Sequence, residues 1–312
     1  MMIDRGIATV GAGILGILVV ASLIGAVLKR RAATDRARAT VTNLNARTRA
    51  WWVMCALVFS AIILGTITTI VLVALLSFLA LREFITLAPT RRADHHTLFW
   101  CFFIILPLQY VLVGMRWYGM MAIFIPVWAY LFVAIRSTLS GDHRLYLERT
   151  AKIQWGLMIT VYCLSCLPAL LMLTIPGCAH PADLLLFLLV VVQLSDVFQY
   201  VWGKLLGRHR IAPHLSPNKT WEGFLGGILT ATGVGAGLWW MTPFTPLHAA
   251  EMALIITVMG FFGGIVMSAI KRDAGVKDFG ATIAGHGGIL DRIDSLCFSA
   301  PVFFHLVRFY YT

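Results

Sequence analysis

The feature that most restricts the fold of this chain is a succession of apolar segments, each close to the length that crosses a lipid bilayer. A transmembrane helix needs about 20 apolar residues, because the hydrocarbon core is roughly 30 Å thick and each helical residue adds about 1.5 Å. Such segments take up most of the 312 residues, of which 59% are hydrophobic and 12% charged. The pattern predicts an all-α polytopic integral membrane protein with about ten transmembrane helices.

The first apolar segment, 7–28, is longer than the apolar region of a typical signal peptide, and only Arg5 precedes it. We therefore expect a retained membrane helix. A basic linker, 29–50, follows, and its Lys and Arg side chains suit anionic lipid headgroups. Later spans are predicted at 97–114, 117–135, 155–176, 183–202, 224–241, 250–267 and 293–311.

The apolar segment 51–84 is too long for one ordinary span and short for two. If it forms a hairpin that breaks near Gly65, 22 of the 25 Lys and Arg residues fall on one side of the membrane and three, Arg5, Arg116 and Arg308, on the other. A single crossing divides them 16 to 9. Basic residues concentrate on the cytoplasmic side, so the count favours the hairpin.

A dense polar segment, 268–294, stands out near the end of the chain. It contains four of the 14 acidic residues together with five basic residues or histidines and several glycines. Carboxylates are ligands for divalent cations, whereas cationic side chains and backbone N–H groups bind phosphate. A solvated loop whose charges pair with one another is the alternative. The charged residues are Asp273, Asp278, Asp291, Asp294, Lys271, Arg272, Lys277, Arg292 and His286.

A second informative segment is 193–223. Asp196 lies near the end of an apolar span, where a carboxylate costs about 2.5–3.5 kcal/mol, so it is a candidate functional residue unless it simply faces the interface. After it comes Ser-Pro-Asn-Lys-Thr-Trp-Glu-Gly, 216–223. Lys219 and Thr220 offer a cation and a hydroxyl to phosphate. Ser216 and Glu222 suit either that site or the N-cap of the next helix.

Both segments resemble a known family. The order Ser268-x-Ile270-Lys271-Arg272, then Lys277-Asp278, then His286-Gly287-Gly288-x-x-Asp291-Arg292-x-Asp294 is similar to the signature of the phosphatidate cytidylyltransferases, or CDP-diacylglycerol synthases. Ser-Pro-x-Lys-Thr-x-Glu-Gly is similar to the element that precedes that signature, and Arg82-Glu83-Phe84 to the end of the family's first hairpin. Ala284 departs from the pattern, because the family usually has proline there.

The resemblance implies transfer of CMP from CTP to phosphatidic acid, with Mg²⁺, alone or together with a second cation, as cofactor. It implies a catalytic set of Lys271, Arg272, Lys277, Asp278, His286, Asp291 and Asp294. Metal ligands are expected among Asp196, Asp278, Asp291 and Asp294. Phosphates of CTP or lipid are expected at Ser216, Lys219, Thr220, Lys271, Arg272, Lys277, His286 and Arg292. Asp273 occupies a variable position and is left out.

The predicted organisation is an N-terminal helix with its linker, 1–50, N-terminal spans, 51–176, and a catalytic membrane domain, 177–312. The active site is expected to face the cytoplasm from a bacterial inner membrane. Basic residues confined to loops argue against nucleic acid as a partner. The sequence is compatible with a monomer or a homodimer. Two other functions are a CTP-dependent transferase or kinase acting on a different lipid, and a transporter, which predicts charges at mid-span.

Overall fold

The computed structural model describes residues 5–31, 34–176, 180–283 and 287–312. Ten helices account for most of this part of the chain, and eight are long and apolar enough to cross a membrane. The other two are α8, which has 17 residues, and α10, which carries several charges. The helices are α1 (Arg5–Arg31), α2 (Asp35–Leu64), α3 (Thr66–Thr86), α4 (Arg92–Gly114), α5 (Tyr118–Thr138), α6 (Tyr146–Leu170), α7 (Ala182–Leu205), α8 (Trp221–Gly237), α9 (Pro246–Asp273) and α10 (Leu290–Tyr311).

The hairpin between α2 and α3 is confirmed. Gly65 separates the two helices with a φ of 111°, a backbone conformation that glycine adopts without the Cβ clash of other residues. α1 and α2 run antiparallel, because Trp52 Nε1 donates to Ser22 Oγ at 3.0 Å while Gly11 lies beside Phe59. α3 then returns, and its last turn contacts the start of α10.

Successive helices alternate in direction, and contacts between loops define two ends of the bundle. The loops that follow α3, α5, α7 and α9 lie at what we call the site end, where Arg91 pairs with Asp142 at 3.2 Å. At the opposite end, the hydroxyl of Tyr118 lies 3.1 Å from Nδ1 of His305. The last turn of α1 and the first turns of α2 lie at the same end, because α2 runs from there to Gly65 and α3 returns from it. The five segments whose basic residues were predicted to share one side therefore all lie at the site end.

Several predicted boundaries differ from the structure, and those of α2, α9 and α10 matter most for the site. The linker 29–50 is largely helical, because α2 begins at Asp35 and no Gly or Pro interrupts it before the apolar segment. The proposed division at residue 50 thus falls inside α2. The polar segment 268–294 is also partly helical, since α9 continues to Asp273 and α10 starts at Leu290. A short antiparallel ribbon, β1 (Arg210–Ala212) and β2 (Ser216–Thr220), adds strands where none was predicted.

Small residues allow the C-terminal helices to pack closely. A Cβ at Gly223 would lie 2.8 Å from the carbonyl oxygen of Gln199, so α7 and α8 can touch only with glycine there. Gly260 faces Ser299 of α10 in the same way. Gly233 and Gly237, by contrast, face open space and pack against no helix of the described residues.

A cavity of about 390 Å³ lies between α1 and α2. Its walls are apolar side chains, with Cys55 and Trp52 as the exceptions. This cavity offers neither carboxylates nor cations, so it contains none of the candidate site residues.

Candidate active site

Two carboxylates from distant parts of the chain meet at the site end. Asp196 lies in the C-terminal half of α7, and Asp294 lies in the first turns of α10. Ser295 joins them, because its Oγ lies 3.0 Å from Asp196 Oδ2 and 3.5 Å from Asp294 Oδ1, and its backbone N–H donates to Asp294 Oδ1 at 2.8 Å. We call Asp196 and Asp294 the open pair.

The open pair keeps unused ligand atoms. Asp196 has substantial accessible surface, and Asp294 is half-buried. Hydrogen bonds from described residues reach only Oδ2 of Asp196 and Oδ1 of Asp294, so the second oxygen of each carboxylate has no such partner. Two neighbouring carboxylates with free oxygens repel one another unless a cation lies between or beside them.

Lys219 supplies a cation whose charge acts on both members of the open pair. Its ammonium group donates to the carbonyl oxygen of Phe261 at 3.2 Å and lies over the Phe261 ring, 4.6 Å from the centroid. Burial lowers the pKa of Lys219, while the charges of Asp196 and Asp294 act in the opposite direction. Lys219 therefore faces the open pair, and substrate phosphate could share it.

The ribbon holds Lys219 in this place. Thr220, at the end of β2, caps α8, because its Oγ1 accepts the N–H of Gly223 at 3.2 Å. Glu222 accepts the N–H groups of Arg208 and His209. Ser216 lies within β2, so the predicted capping role belongs to Thr220 instead.

Asp291 differs from the open pair although it is three residues from Asp294. Its Oδ1 pairs with Lys271 Nζ at 2.8 Å, and its Oδ2 accepts the N–H groups of Phe279 and Gly288 at 2.8 and 3.0 Å. The side chain is 2% exposed. Asp291 thus links the end of α9, the following loop and α10, and its oxygens are already occupied in this conformation.

A buried carboxylate that was not among the predicted site residues lies beside Gly288, whose N–H binds Asp291. Glu83, in the last turn of α3, accepts hydrogen bonds from the Thr282 hydroxyl and from the N–H groups of Ile289 and Leu290 at 2.7, 3.0 and 2.9 Å. The segment Arg82-Glu83-Phe84 was noted only as the end of a hairpin. A carboxylate inside an apolar helix was the signal that could have identified it.

The remaining predicted residues lie around these groups. Arg272, Lys277 and Asp278 are exposed, and Arg272 donates to the carbonyl oxygen of Val276 at 2.9 Å. Asp278 lies beside Gly287, next to Asp291. Arg292 is half-buried, and its Nε has no hydrogen-bond partner among the described atoms. His286 and Ala284 lie outside the described residues.

The open pair suits a hard divalent cation that also binds substrate and water, rather than a metal enclosed by protein ligands alone. Within the described ranges, no group of three or more His, Cys, Asp or Glu side chains is arranged to hold a metal. Mg²⁺ commonly binds through one or two carboxylates, with substrate phosphates and water as its other ligands. Two oxygens without partners, next to a lysine that can hold phosphate, match that chemistry.

Comparison with known proteins identifies the family. The model of the cytidylyltransferase family matches residues 45–310, which include every residue of the site. The chain belongs to the cytidylyltransferase family. The protein is therefore a nucleotidyltransferase and an integral membrane protein, and α1 lies outside the region shared with the family model.

Individual relatives fall into two groups. The chain is 41% identical to the uncharacterized protein YnbB of Escherichia coli (strain K12), with 99% of both chains aligned. It is 42% identical over 123 residues to a phosphatidate cytidylyltransferase of Staphylococcus epidermidis and 39% identical over 120 residues to one of Staphylococcus aureus (strain COL). These two alignments cover 38% of this chain and 46% of each relative, so the chain aligns with about half the length of those enzymes.

Proposed function

We propose that this nucleotidyltransferase is a CTP:phosphatidate cytidylyltransferase, which makes CDP-diacylglycerol and pyrophosphate for phospholipid synthesis. The observation that carries the proposal is the open pair beside Lys219. In such a reaction the phosphate of phosphatidate attacks the α-phosphorus of CTP, and the bond to the pyrophosphate leaving group breaks. Both reactants are anions, so their mutual repulsion is the main obstacle that the protein must overcome.

The side chains suit that task. The attacking phosphate oxygen is already anionic near neutral pH, so the step needs no strong general base. Asp196 and Asp294 would hold Mg²⁺, and the exposed Asp278 would add only a screened charge near the same end. When bound, Mg²⁺ would neutralise phosphate charge and stabilise the leaving group. Lys219, Arg272 and Lys277 would hold the remaining phosphate oxygens by charge-assisted hydrogen bonds.

Asp291 and Lys271 receive a different role in this proposal from the one predicted for them. Because the oxygens of Asp291 are occupied by Lys271 and two backbone N–H groups, we assign the pair to positioning the loop that precedes α10. Lys271 Nζ also lies 5.2 Å from the centroid of the Phe279 ring. The two residues thus keep the beginning of α10 near the end of α9.

The proposed location is a bacterial inner membrane with the site end in the cytoplasm. Its support is the charge distribution, because the loops at the site end contain nearly all of the Lys and Arg residues. CTP is a cytoplasmic nucleotide, and a site at that face lets nucleotide enter from water while the lipid enters from the bilayer.

A second candidate acceptor is a different lipid phosphate or a lipid alcohol. The full-length similarity to YnbB, set against partial similarity to the phosphatidate cytidylyltransferases, favours keeping it. The open pair fits transfer from CTP to any lipid phosphate, because each such transfer brings two anions together, and a cation held there would also neutralise CTP in transfer to a neutral alcohol. The site residues by themselves therefore fit both acceptors, and the assay has to choose between them.

The test is product identification by mass spectrometry. Purified protein in lipid nanodiscs is incubated with CTP, Mg²⁺ and phosphatidate, or with diacylglycerol or another lipid phosphate in parallel. Of the acceptors tested, we expect only phosphatidate to give pyrophosphate release and a product, CDP-diacylglycerol. Product with another lipid phosphate supports the second candidate, and a phosphorylated alcohol with release of CDP indicates a kinase. An absence of product with every acceptor contradicts both.

A further inference from the structure

The strongest feature outside the proposed metal site is Glu83, which belongs to α3 and lies 206 residues before its partner Ile289. Its side chain is buried, with 7% of its surface exposed. A buried carboxylate is costly unless hydrogen bonds replace its hydration. Within the part of the chain that the structure describes, the ion pairs do not include Glu83. The described residues stabilise Glu83 through hydrogen-bond donors.

Those donors lie at the junction between the polar loop and α10. Glu83 Oε1 accepts from the Thr282 hydroxyl and the Ile289 N–H, and Oε2 accepts from the Leu290 N–H. Leu290 is the first residue of α10, so these amides belong to the turn whose N–H groups lack partners within the helix. A carboxylate at this position also interacts favourably with the helix dipole.

Two glycines show that the loop is shaped around this carboxylate. A Cβ at Gly280 would lie 2.9 Å from Glu83 Oε1, and a Cβ at Gly288 would lie still closer to Oε2. Any larger residue would force the loop away from α3. The glycines thus allow the loop to surround the carboxylate on both sides.

The contact bears on the proposed metal site because of its place in α10. Ile289 and Leu290 precede Asp294 by about one helical turn, and Gly288 donates its N–H to Asp291. An error in the start of α10 would rotate or shift Asp294 and Ser295 relative to Asp196. Glu83 therefore fixes one half of the open pair while α7 carries the other half.

We propose that Glu83 is a positioning residue for cytidylyl transfer, holding the start of α10 so that Asp294 stands beside Asp196. This inference rests on the proposed function for its catalytic consequence. Its structural part, the attachment of α3 to the start of α10, does not depend on which lipid accepts CMP. The two parts can therefore be tested separately.

The first arm of the test does not require activity. Amide hydrogen exchange of the protein in nanodiscs is compared for wild type, Glu83→Gln, Glu83→Asp and the control Glu148→Gln, whose exposed carboxylate pairs with Lys152 at the same end. In Glu83→Gln, an NH₂ group replaces one of the two accepting oxygens, so a side-chain donor faces a backbone N–H that has lost its acceptor. We expect exchange in a peptide covering Ile289 and Leu290 to rise at least about 10-fold in Glu83→Gln and to stay unchanged in the control. Unchanged exchange in Glu83→Gln overturns the proposal.

The second arm uses Mn²⁺ as a paramagnetic probe of the metal site and the transfer assay as a functional readout. We expect weaker Mn²⁺ binding and a kcat lower by about 10- to 100-fold in Glu83→Gln, with KM for the lipid within about twofold. Glu83→Asp, which keeps the charge, should recover part of kcat. Normal Mn²⁺ binding together with normal kcat overturns the proposal. In the remaining outcome, the wild type transfers nothing to phosphatidate, yet Glu83→Gln loses amide protection and Mn²⁺ binding relative to it. That result supports the positioning role and contradicts the proposed function alone.

Discussion

Four acidic side chains at the site end form two pairs that use their oxygens differently. Glu83 and Asp291 are buried, and each accepts three hydrogen bonds or ion-pair contacts, mostly from backbone N–H groups. Asp196 and Asp294 share one serine and keep one oxygen each without a described partner. The comparison teaches that charge near a motif does not by itself identify a ligand. A carboxylate whose oxygens are filled positions the chain, and one with free oxygens can bind.

The largest effect is expected in the open pair. Asp294→Asn or Asp196→Asn should lower kcat by about 10³-fold, because a metal-holding carboxylate contributes several kcal/mol to the transition state. Thermal stability should change little, because each residue accepts few hydrogen bonds. Pyrophosphate release and the Tm of each variant are measured.

Asp35→Asn is the matched control for these two variants, because Asp35 is exposed and lies before the region that matches the family. It should keep wild-type activity. If Asp294→Asn also retained wild-type activity, the open pair would lose its assigned role and the comparison between the two pairs would fail.

Asp291→Asn should lower stability more than activity, which is the reverse of the effect expected for the open pair. Removing one partner of a buried ion pair leaves Lys271 without compensation, so we expect about 3 kcal/mol of destabilisation. Thermal unfolding in detergent measures it. The double variant Lys271→Met, Asp291→Asn should lose less than the sum of the single variants. A stable Asp291→Asn that no longer binds Mn²⁺ would instead identify Asp291 as a ligand.

Gly264→Ala tests whether Lys219 must lie where it does. The added Cβ would lie 2.7 Å from Lys219 Nζ, and the flexible ammonium can move away at little cost in stability. We expect about a 10-fold loss of kcat/KM for CTP with nearly unchanged Tm. Gly233→Ala, where the Cβ meets open space, should keep activity and gain up to about 1 kcal/mol of stability. Equal activity in the two variants would remove Lys219 from the site.

The smallest effect is expected at Asp278. Its side chain is exposed, although it lies next to Asp291. Asp278→Asn should lower kcat by less than about 5-fold, since an exposed charge contributes little through screened interactions. The Mg²⁺ dependence of pyrophosphate release provides the measurement. A loss as large as that of Asp294→Asn would place Asp278 in the metal shell and move the site toward the loop.

The membrane class, the hairpin at Gly65 and the two polar segments could be predicted from the sequence. Each depends on local quantities, namely the length of an apolar segment, the count of basic residues between segments and the spacing of charges along a motif. The boundaries of α2, α9 and α10 could not be predicted as well, because polar residues next to an apolar helix continue it at little cost when no Gly or Pro intervenes.

The sequence by itself determined that the chain crosses a membrane and that carboxylates, cations and glycines gather in two late segments. Only the tertiary structure decided which carboxylates act together. Asp291 and Asp294 are three residues apart, yet Asp291 faces Lys271 while Asp294 faces Asp196, 98 residues earlier in the chain. Glu83 joins the same region from α3. The physical reason is that an oxygen's availability depends on which donors packing brings to it, and those donors come from helices far apart in sequence.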